Sequence, residues 1–92
     1  MAPGQWTFLS NHGHVLVHIA RDPEARIADI AQTVGITERA TQGIIADLVQ
    51  AGYVQVRRIG RRNTYRVNRD GHFRHPAESQ QSIDALLDVF RD

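Results

Sequence analysis

Apolar residues recur every three or four positions in the first half of the chain, which is the spacing of helices that bury one face. The first helix is predicted to begin at a Ser10 or Asn11 cap and to run to about Arg21, before the break at Pro23. Its apolar stripe is Val15, Leu16 and Ile19, with Ala20 beside them. The apolar residues that precede the cap are expected to pack on the core: Trp6, Phe8 and Leu9.

Two further helical patterns follow, and each ends at a glycine. The second helix is predicted from Ile27 to Gly35, and the third from a Thr37 cap to about Ala51, ending at Gly52. Glycine at such positions takes the left-handed conformation that closes a helix. The apolar faces are Ile27, Ile30, Ala31 and Val34 in the second helix, and Thr41, Ile44, Ile45, Leu48 and Val49 in the third.

The period of the pattern changes to two after the third helix. Apolar and polar residues alternate on both sides of the turn cluster Gly60-Arg61-Arg62-Asn63: Val54 and Val56 come before it, Tyr65 and Val67 after it. This alternation around a glycine-containing turn predicts a β-hairpin. A short strand at Arg26-Ile27 can join the hairpin as a third strand.

A loop from Asn68 to Pro76 leads to a last amphipathic segment. A helix is predicted there from about Ala77 to Phe90, with the apolar stripe Ile83, Leu86, Leu87 and Phe90. Three helices and a hairpin already cover the core of so small a domain, so this stripe is expected to form a homodimer contact together with the first helix. The alternative is that the stripe lies back on the core of its own chain.

The second and third helices are separated by a tight turn. Ala31, a small residue, lies four positions before Gly35, and Ile36 can fill the angle between the helices. This spacing is typical of a helix-turn-helix, and a hairpin placed after it makes a winged helix. The predicted fold class is α+β, a winged helix-turn-helix with a three-helix core, a two- or three-stranded β-wing and a C-terminal amphipathic helix. Residues 1–76 are assigned to the DNA-binding domain and residues 77–92 to a dimerisation helix of the same domain.

The third helix and the start of the hairpin resemble the recognition helix and first wing strand of MarR-like and ArsR-like transcription regulators, in Ile36-Thr37-Glu38-Arg39-Ala40-Thr41 through Asp47-Leu48-Val49-Gln50-Ala51-Gly52-Tyr53-Val54. Gly60-Arg61-Arg62-Asn63-Thr64-Tyr65 resembles their wing tip. The resemblance covers roughly Trp6 to Val67. It implies a homodimeric regulator that binds double-stranded DNA in a sequence-specific way, with its C-terminal helix where many members dimerise.

The beginning of the third helix carries the side chains that would reach base edges in the major groove. Arg39 is suited to guanine and Gln42 to adenine, and the Thr37 cap leaves helix amides that can face a phosphate. The predicted contacts are Thr37, Glu38, Arg39, Gln42 and Gly43. Gly43 either lets the helix approach DNA closely or weakens the contact, whereas Asp47 would repel a phosphate that it faced.

The net charge of +1 conceals an uneven distribution of charge. All 11 basic residues are arginine, and seven of them lie between Arg57 and Arg74 with one acid, a local charge of +6. Residues 1–56 carry −2 and residues 75–92 carry −3. The basic block predicts wing contacts with the minor groove and with phosphates, through Arg57, Arg58, Arg61, Arg62, Asn63 and Arg66. The alternative is a solvated edge that prevents strand pairing.

The 92 residues suffice for one domain. Their sequence gives little support to catalysis or to a metal site. The chain has no cysteine, no phosphate-binding glycine loop and no nucleophile motif, so neither an enzyme nor a cofactor is predicted. His14 and His18 share a helix face, but no cysteine or glutamate accompanies them, and a metal site is not predicted.

Without a transmembrane or signal segment, the expected location is the cytoplasm, with the nucleoid. Two alternatives stay open: a winged-helix protein–protein adaptor, and a regulator that responds to a small ligand at the dimer interface.

Overall fold

The computed structural model describes residues 5–91, so residues 1–4 and Asp92 of the predicted domain boundaries lie outside the described part. The elements are α1 (Asn11–Arg21), α2 (Ile27–Val34), α3 (Glu38–Gln50), β1 (Val54–Ile59), β2 (Arg62–Val67) and α4 (Ile83–Val89). Three helices, an antiparallel hairpin and a last helix make an α+β fold, which confirms the predicted winged-helix class.

Helices α1 and α3 begin at side-chain caps, and α2 ends at a glycine. The Ser10 hydroxyl accepts a backbone N–H three residues further on at 3.2 Å, and the Thr37 hydroxyl does the same at 3.0 Å. Gly35 closes α2 with φ 85°, and its N–H donates to the Ala31 carbonyl at 2.8 Å. The tight turn that follows α2 therefore depends on a conformation that glycine adopts without strain.

One core joins every element. Its buried members are Val15, Leu16, Ile19, Ala25, Ile30, Ile44, Ile45, Leu48, Val54, Tyr65, Ile83 and Leu87. Val49 was expected among them but is 40% exposed, because it lies at the edge of the buried face of α3. The expectation for Trp6 and Phe8 is wrong as well, since these rings are 76% and 92% exposed. They lie in the non-helical segment before α1 and pack edge to face, with ring centroids 5.0 Å apart.

The hairpin has a two-residue turn rather than the predicted four-residue cluster. Ile59 pairs with Arg62, so that Gly60 and Arg61 alone form the turn and Asn63 belongs to β2. Gly60 has φ 62° while Arg61 does not have a positive φ, which is the pattern of a type II′ turn. This turn suits the right-handed twist of the two strands.

The sheet of the described residues has two strands, and the third strand suggested at Arg26-Ile27 does not form. Arg26 is instead the N-cap of α2, with Ile27 already helical. The outer edge of β2 is tied to the preceding turn at another place, where the Tyr65 N–H donates to the Pro23 carbonyl at 2.9 Å. The base of the hairpin is thus attached directly to the segment between α1 and α2.

The last helix is shorter than predicted, because it begins at Ile83 rather than near Ala77. The backbone before it pairs with the loop after β2: the Phe73 N–H donates to the Gln81 carbonyl at 3.1 Å and the Ile83 N–H to the Gly71 carbonyl at 2.7 Å. Residues 77–80 consequently form turns and not a helix. Of the stripe expected at a dimer contact, Ile83 and Leu87 lie in the core of their own chain, which corrects that expectation for these two residues.

Candidate nucleic-acid interface

Helix α3 presents a polar face to solvent beside the hairpin. All five residues predicted to contact DNA from this helix and its cap are exposed: Thr37, Glu38, Arg39, Gln42 and Gly43. Arg39 and Gly43 lie one turn apart on the outermost row of the helix, and Gln42 lies beside them. The structure therefore brings the predicted contact residues to a single accessible surface.

The opposite face of α3 holds the helix in place. Thr41 is fully buried, and its hydroxyl donates to the Thr37 carbonyl at 2.9 Å. Thr41 is the one buried polar residue of the described part, and this bond gives its hydroxyl a partner inside the protein. The N-terminal turn of α3 is consequently fixed from inside, while its outer side chains are free to meet a ligand.

Gly43 has no role in packing. A Cβ built on it would meet nothing within 4 Å, and the residue lies in the interior of a helix, where glycine is destabilising. The fold itself gives no reason for this glycine. Ala46 on the same outer row and Ala40 on its flank are also small and exposed, so the middle of the helix surface is bare.

Asp47 is the one acid beyond the first turn of α3, and it faces α1. Its Oδ2 lies 2.8 Å from Nε2 of His12, and both side chains are about half exposed. This contact joins residues 35 positions apart. The Asp47 carboxylate, which would repel a phosphate that it faced, therefore has a partner on α1.

The strand register divides the wing residues between two faces of the sheet. Arg58 and Asn63 lie opposite each other and share their face with the core residues Val54 and Tyr65. Arg57 and Arg66 lie on the other face. Because Arg57 follows Val56 in β1, the side chains of these two residues lie on opposite faces of the sheet. The six predicted wing residues are all exposed, but they do not form one surface.

The tip of the wing lies near the start of α2. The Arg62 guanidinium donates to the Glu24 carbonyl at 3.2 Å, and Arg26, Arg61 and Arg62 line the same shallow cavity of about 400 Å³. Arg26 was not identified from the sequence because it stands in an acidic stretch. The proximity arises from the fold, which brings the start of α2 to the edge of β2.

Two residues of the outer row of α3 were also missed, Ala46 and Gln50. They follow Arg39 and Gly43 at intervals of three and four residues and are exposed. Helical periodicity extended past Gly43 would have found them.

A comparison with protein-family models adds to this geometry. Residues 7–61 match the model of the MarR family, a span that includes α1, α2, α3 and β1. The chain belongs to the MarR family. The resemblance inferred from the recognition helix and the wing is thereby confirmed. A comparison with curated proteins finds no significant match.

MarR-family proteins are transcription regulators that bind DNA through a helix-turn-helix, and they are not enzymes. This member is accordingly a DNA-binding transcription regulator. The longest helix of residues 5–91 is α3, whose 13 residues are too few to span a bilayer, which takes about 20 apolar residues. The same residues contain no cluster of three or more His, Cys, Asp or Glu side chains that could hold a metal ion.

An apolar patch lies where the segment before α1 meets α4 of this MarR-family domain. Phe8 lines one groove with Leu86 and another with Phe90, and Val89, in the same helix α4, is 74% exposed. Trp6 extends the patch through its contact with Phe8. We call Trp6, Phe8, Leu86, Val89 and Phe90 the terminal patch.

Proposed function

We propose that the chain is a homodimeric, sequence-specific regulator that places α3, the recognition helix, in the major groove of double-stranded DNA. The observation that carries this proposal is the exposed row at the start of α3, where Arg39 and Gln42 flank a bare helix surface. Arg39 would read guanine and Gln42 adenine, because their side chains can form paired hydrogen bonds to those base edges.

The wing would add contacts that hold the protein on the duplex. Arg58 and Asn63 lie on the core-side face of the sheet, and Arg61 stands at the turn beside them. Arginine at a wing tip is suited to the narrow minor groove, and the flanking side chains are suited to phosphates. Arg62 stands next to Arg61 at the tip, although its side chain shares the opposite face of the sheet with Arg57 and Arg66.

The terminal patch would form the homodimer contact. Trp6 and Phe8 pack against each other while 76% and 92% exposed, and Val89 of α4 is 74% exposed, so large apolar side chains remain on the surface as they do at protein–protein contacts. A two-fold dimer would present two recognition helices about 34 Å apart, one turn of DNA, to a palindromic site. Residues 77–92 would then serve both the core and the dimer, within one domain and not as a separate module.

A ligand-responsive regulator is the second candidate. A cavity of about 640 Å³ lies under the terminal patch, with Phe8, Val17, Val34 and Phe90 as apolar walls and His14 and His18 at its polar side. A small molecule bound there would touch both the dimer contact and α2. This supports a response to a small ligand more than a role as a protein–protein adaptor.

Selection from a random duplex library, followed by titration at several salt concentrations, tests the proposed function. Wild-type protein is expected to enrich a palindrome and to lose affinity steeply with salt. Arg39→Gln should alter the enriched sequence, whereas Arg61→Gln should lower the salt slope by about 1 on every sequence. Arg91→Gln removes the same charge next to Asp88 in the C-terminal region and should change neither result. Absence of any enriched sequence would overturn sequence-specific binding.

A further inference from the structure

The outer face of the β-hairpin is basic, and apart from Arg62 at the tip it is not used by the proposed contact with one duplex. Six side chains share this face through the strand register: Gln55, Arg57, Ile59, Arg62, Thr64 and Arg66. None of them is acidic. The opposite face of the sheet contributes Val54 and Tyr65 to the core. The outer face lies opposite this core side of the sheet. Near the open end of the hairpin, Gln55 and Arg66 line a cavity of about 670 Å³ with Ile19 of α1.

Arg57 and Arg66 are the two cations of this face that are available to a ligand. Both are exposed, and no carboxylate of residues 5–91 lies within ion-pair distance of either one. Arg62, in contrast, donates to the Glu24 carbonyl, and Arg69 in the next loop pairs with Asp84 at 3.1 Å. The fold thus neutralises Arg69 but leaves the two outer-face arginines without an internal partner.

The spacing of Arg57 and Arg66 fits a repeating anion. Arg57 lies opposite Thr64, two residues before Arg66, so the two arginines are diagonal neighbours about 7–8 Å apart. Each guanidinium can consequently take its own phosphate on one nucleic-acid strand, which carries a charge about every 3.4 Å along its axis. Gln55 and Thr64 add neutral hydrogen-bonding groups between them.

We propose that the outer face of the wing binds the phosphate backbone of a second DNA duplex, so that one subunit contacts two duplexes. The proposal rests on the proposed binding of the first duplex by α3 and the wing tip. Charge complementarity selects the partner, because the face carries two unpaired arginines and no acid. An acidic protein would be attracted by the same charge and is therefore distinguished in the experiment.

A co-capture experiment tests the proposal with full-length protein and two 20-bp duplexes of random sequence. One duplex is immobilised and the other is fluorescent and added in excess. Wild-type protein is expected to retain the fluorescent duplex at low salt. The double variant Arg57→Gln/Arg66→Gln should lose at least fivefold of that retention and keep the salt slope of single-duplex binding. The matched variant Arg58→Gln/Arg61→Gln removes the same charge and should lower the single-duplex slope by about 2.

Each other outcome overturns the proposal. Retention unchanged in Arg57→Gln/Arg66→Gln would mean that the two recognition helices of a dimer hold the two duplexes. An equal fall in salt slope for both double variants would place both faces on one duplex. Polyglutamate, added in place of the fluorescent duplex, mimics an acidic protein. Retention of polyglutamate but not of the second duplex would indicate that the outer face binds an acidic protein. Failure of wild-type protein to bind even the immobilised duplex would refute the proposed function itself, whereas binding without co-capture refutes only the second contact.

Discussion

The imidazole of His12, in the first turn of α1, lies 2.8 Å from the carboxylate of Asp47 on the recognition helix. The pair joins the two helices at the surface, with His12 and Asp47 side chains 49% and 60% exposed. An exposed pair of this kind contributes at most about 1 kcal/mol to stability. Its importance therefore lies in where it places a negative charge, on the flank of the helix that we propose to meet DNA.

Asp47→Asn is expected to strengthen DNA binding about two- to threefold. A charge about 7 Å from a phosphate costs on the order of 0.6 kcal/mol in water, and the amide removes that charge. Titration of a random duplex at low salt measures the gain, and urea denaturation checks that stability changes by less than about 1 kcal/mol. His12→Gln leaves the carboxylate charged and should show no gain. Weaker binding by Asp47→Asn would mean that Asp47 contacts a base.

Gly43→Ala is expected to stabilise the protein and to weaken its binding to DNA. The new methyl group meets only open space in the free protein, and alanine is favoured over glycine in a helix by about 0.5–1 kcal/mol. On DNA the same methyl group would hold the helix away from the bases. Denaturation and duplex titration of the same samples separate the two effects. Unchanged affinity would show that DNA does not approach the helix at Gly43.

Gly35→Ala should have the opposite effect on stability, although the chemical change is the same. Gly35 has φ 85° and ends α2, and a Cβ there meets no neighbour, so the cost comes from the backbone alone. A residue with a side chain in this conformation costs about 1–2 kcal/mol. Urea denaturation of Gly35→Ala and Gly43→Ala should therefore move the midpoint in opposite directions. A Gly35→Ala protein as stable as wild type would contradict the requirement for glycine in the turn.

Two substitutions in α4 separate its role in the core from its role in a dimer. Leu87→Ala removes a side chain that is 4% exposed and should cost about 2–5 kcal/mol, a large share of the stability of a small domain. Val89→Ser, at a position 74% exposed, should shift the mass measured by light scattering from dimer to monomer and lower the unfolding midpoint only by the concentration-dependent amount that dimerisation contributes. Phe8→Ser should behave like Val89→Ser. A dimeric Phe8→Ser/Val89→Ser protein would remove the terminal patch from the interface.

Local signals were enough to predict the helix-turn-helix and the hairpin. Ser10 and Thr37 cap their helices, and Gly35 and Gly52 both have φ 85°, because capping and left-handed turns depend on residues close in the chain. The same local signals predicted an α4 that is too long at its N-terminal end. Its first predicted turns are replaced by backbone bonds to Gly71 and Phe73, which no periodicity reveals.

Helix and strand periods predict which side chains of one element share a face, and this part of the candidate site was predictable from the sequence. Exposure of Arg39 and Gln42 follows from the helix period, and the opposite orientation of Arg57 and Val56 follows from the strand period. Contacts between distant segments had no such signal. The His12–Asp47 pair and the approach of Arg26 to the wing tip are products of the tertiary fold.

The bond from the Tyr65 N–H to the Pro23 carbonyl has a mechanical consequence. Together with the Arg62 contact to the Glu24 carbonyl, it clamps the hairpin to the same rigid body that carries α3. The proposed contacts of α3 and of the wing tip would therefore reach DNA at a spacing that the fold sets. DNA sequences whose groove width does not match this spacing would be discriminated without any additional side chain.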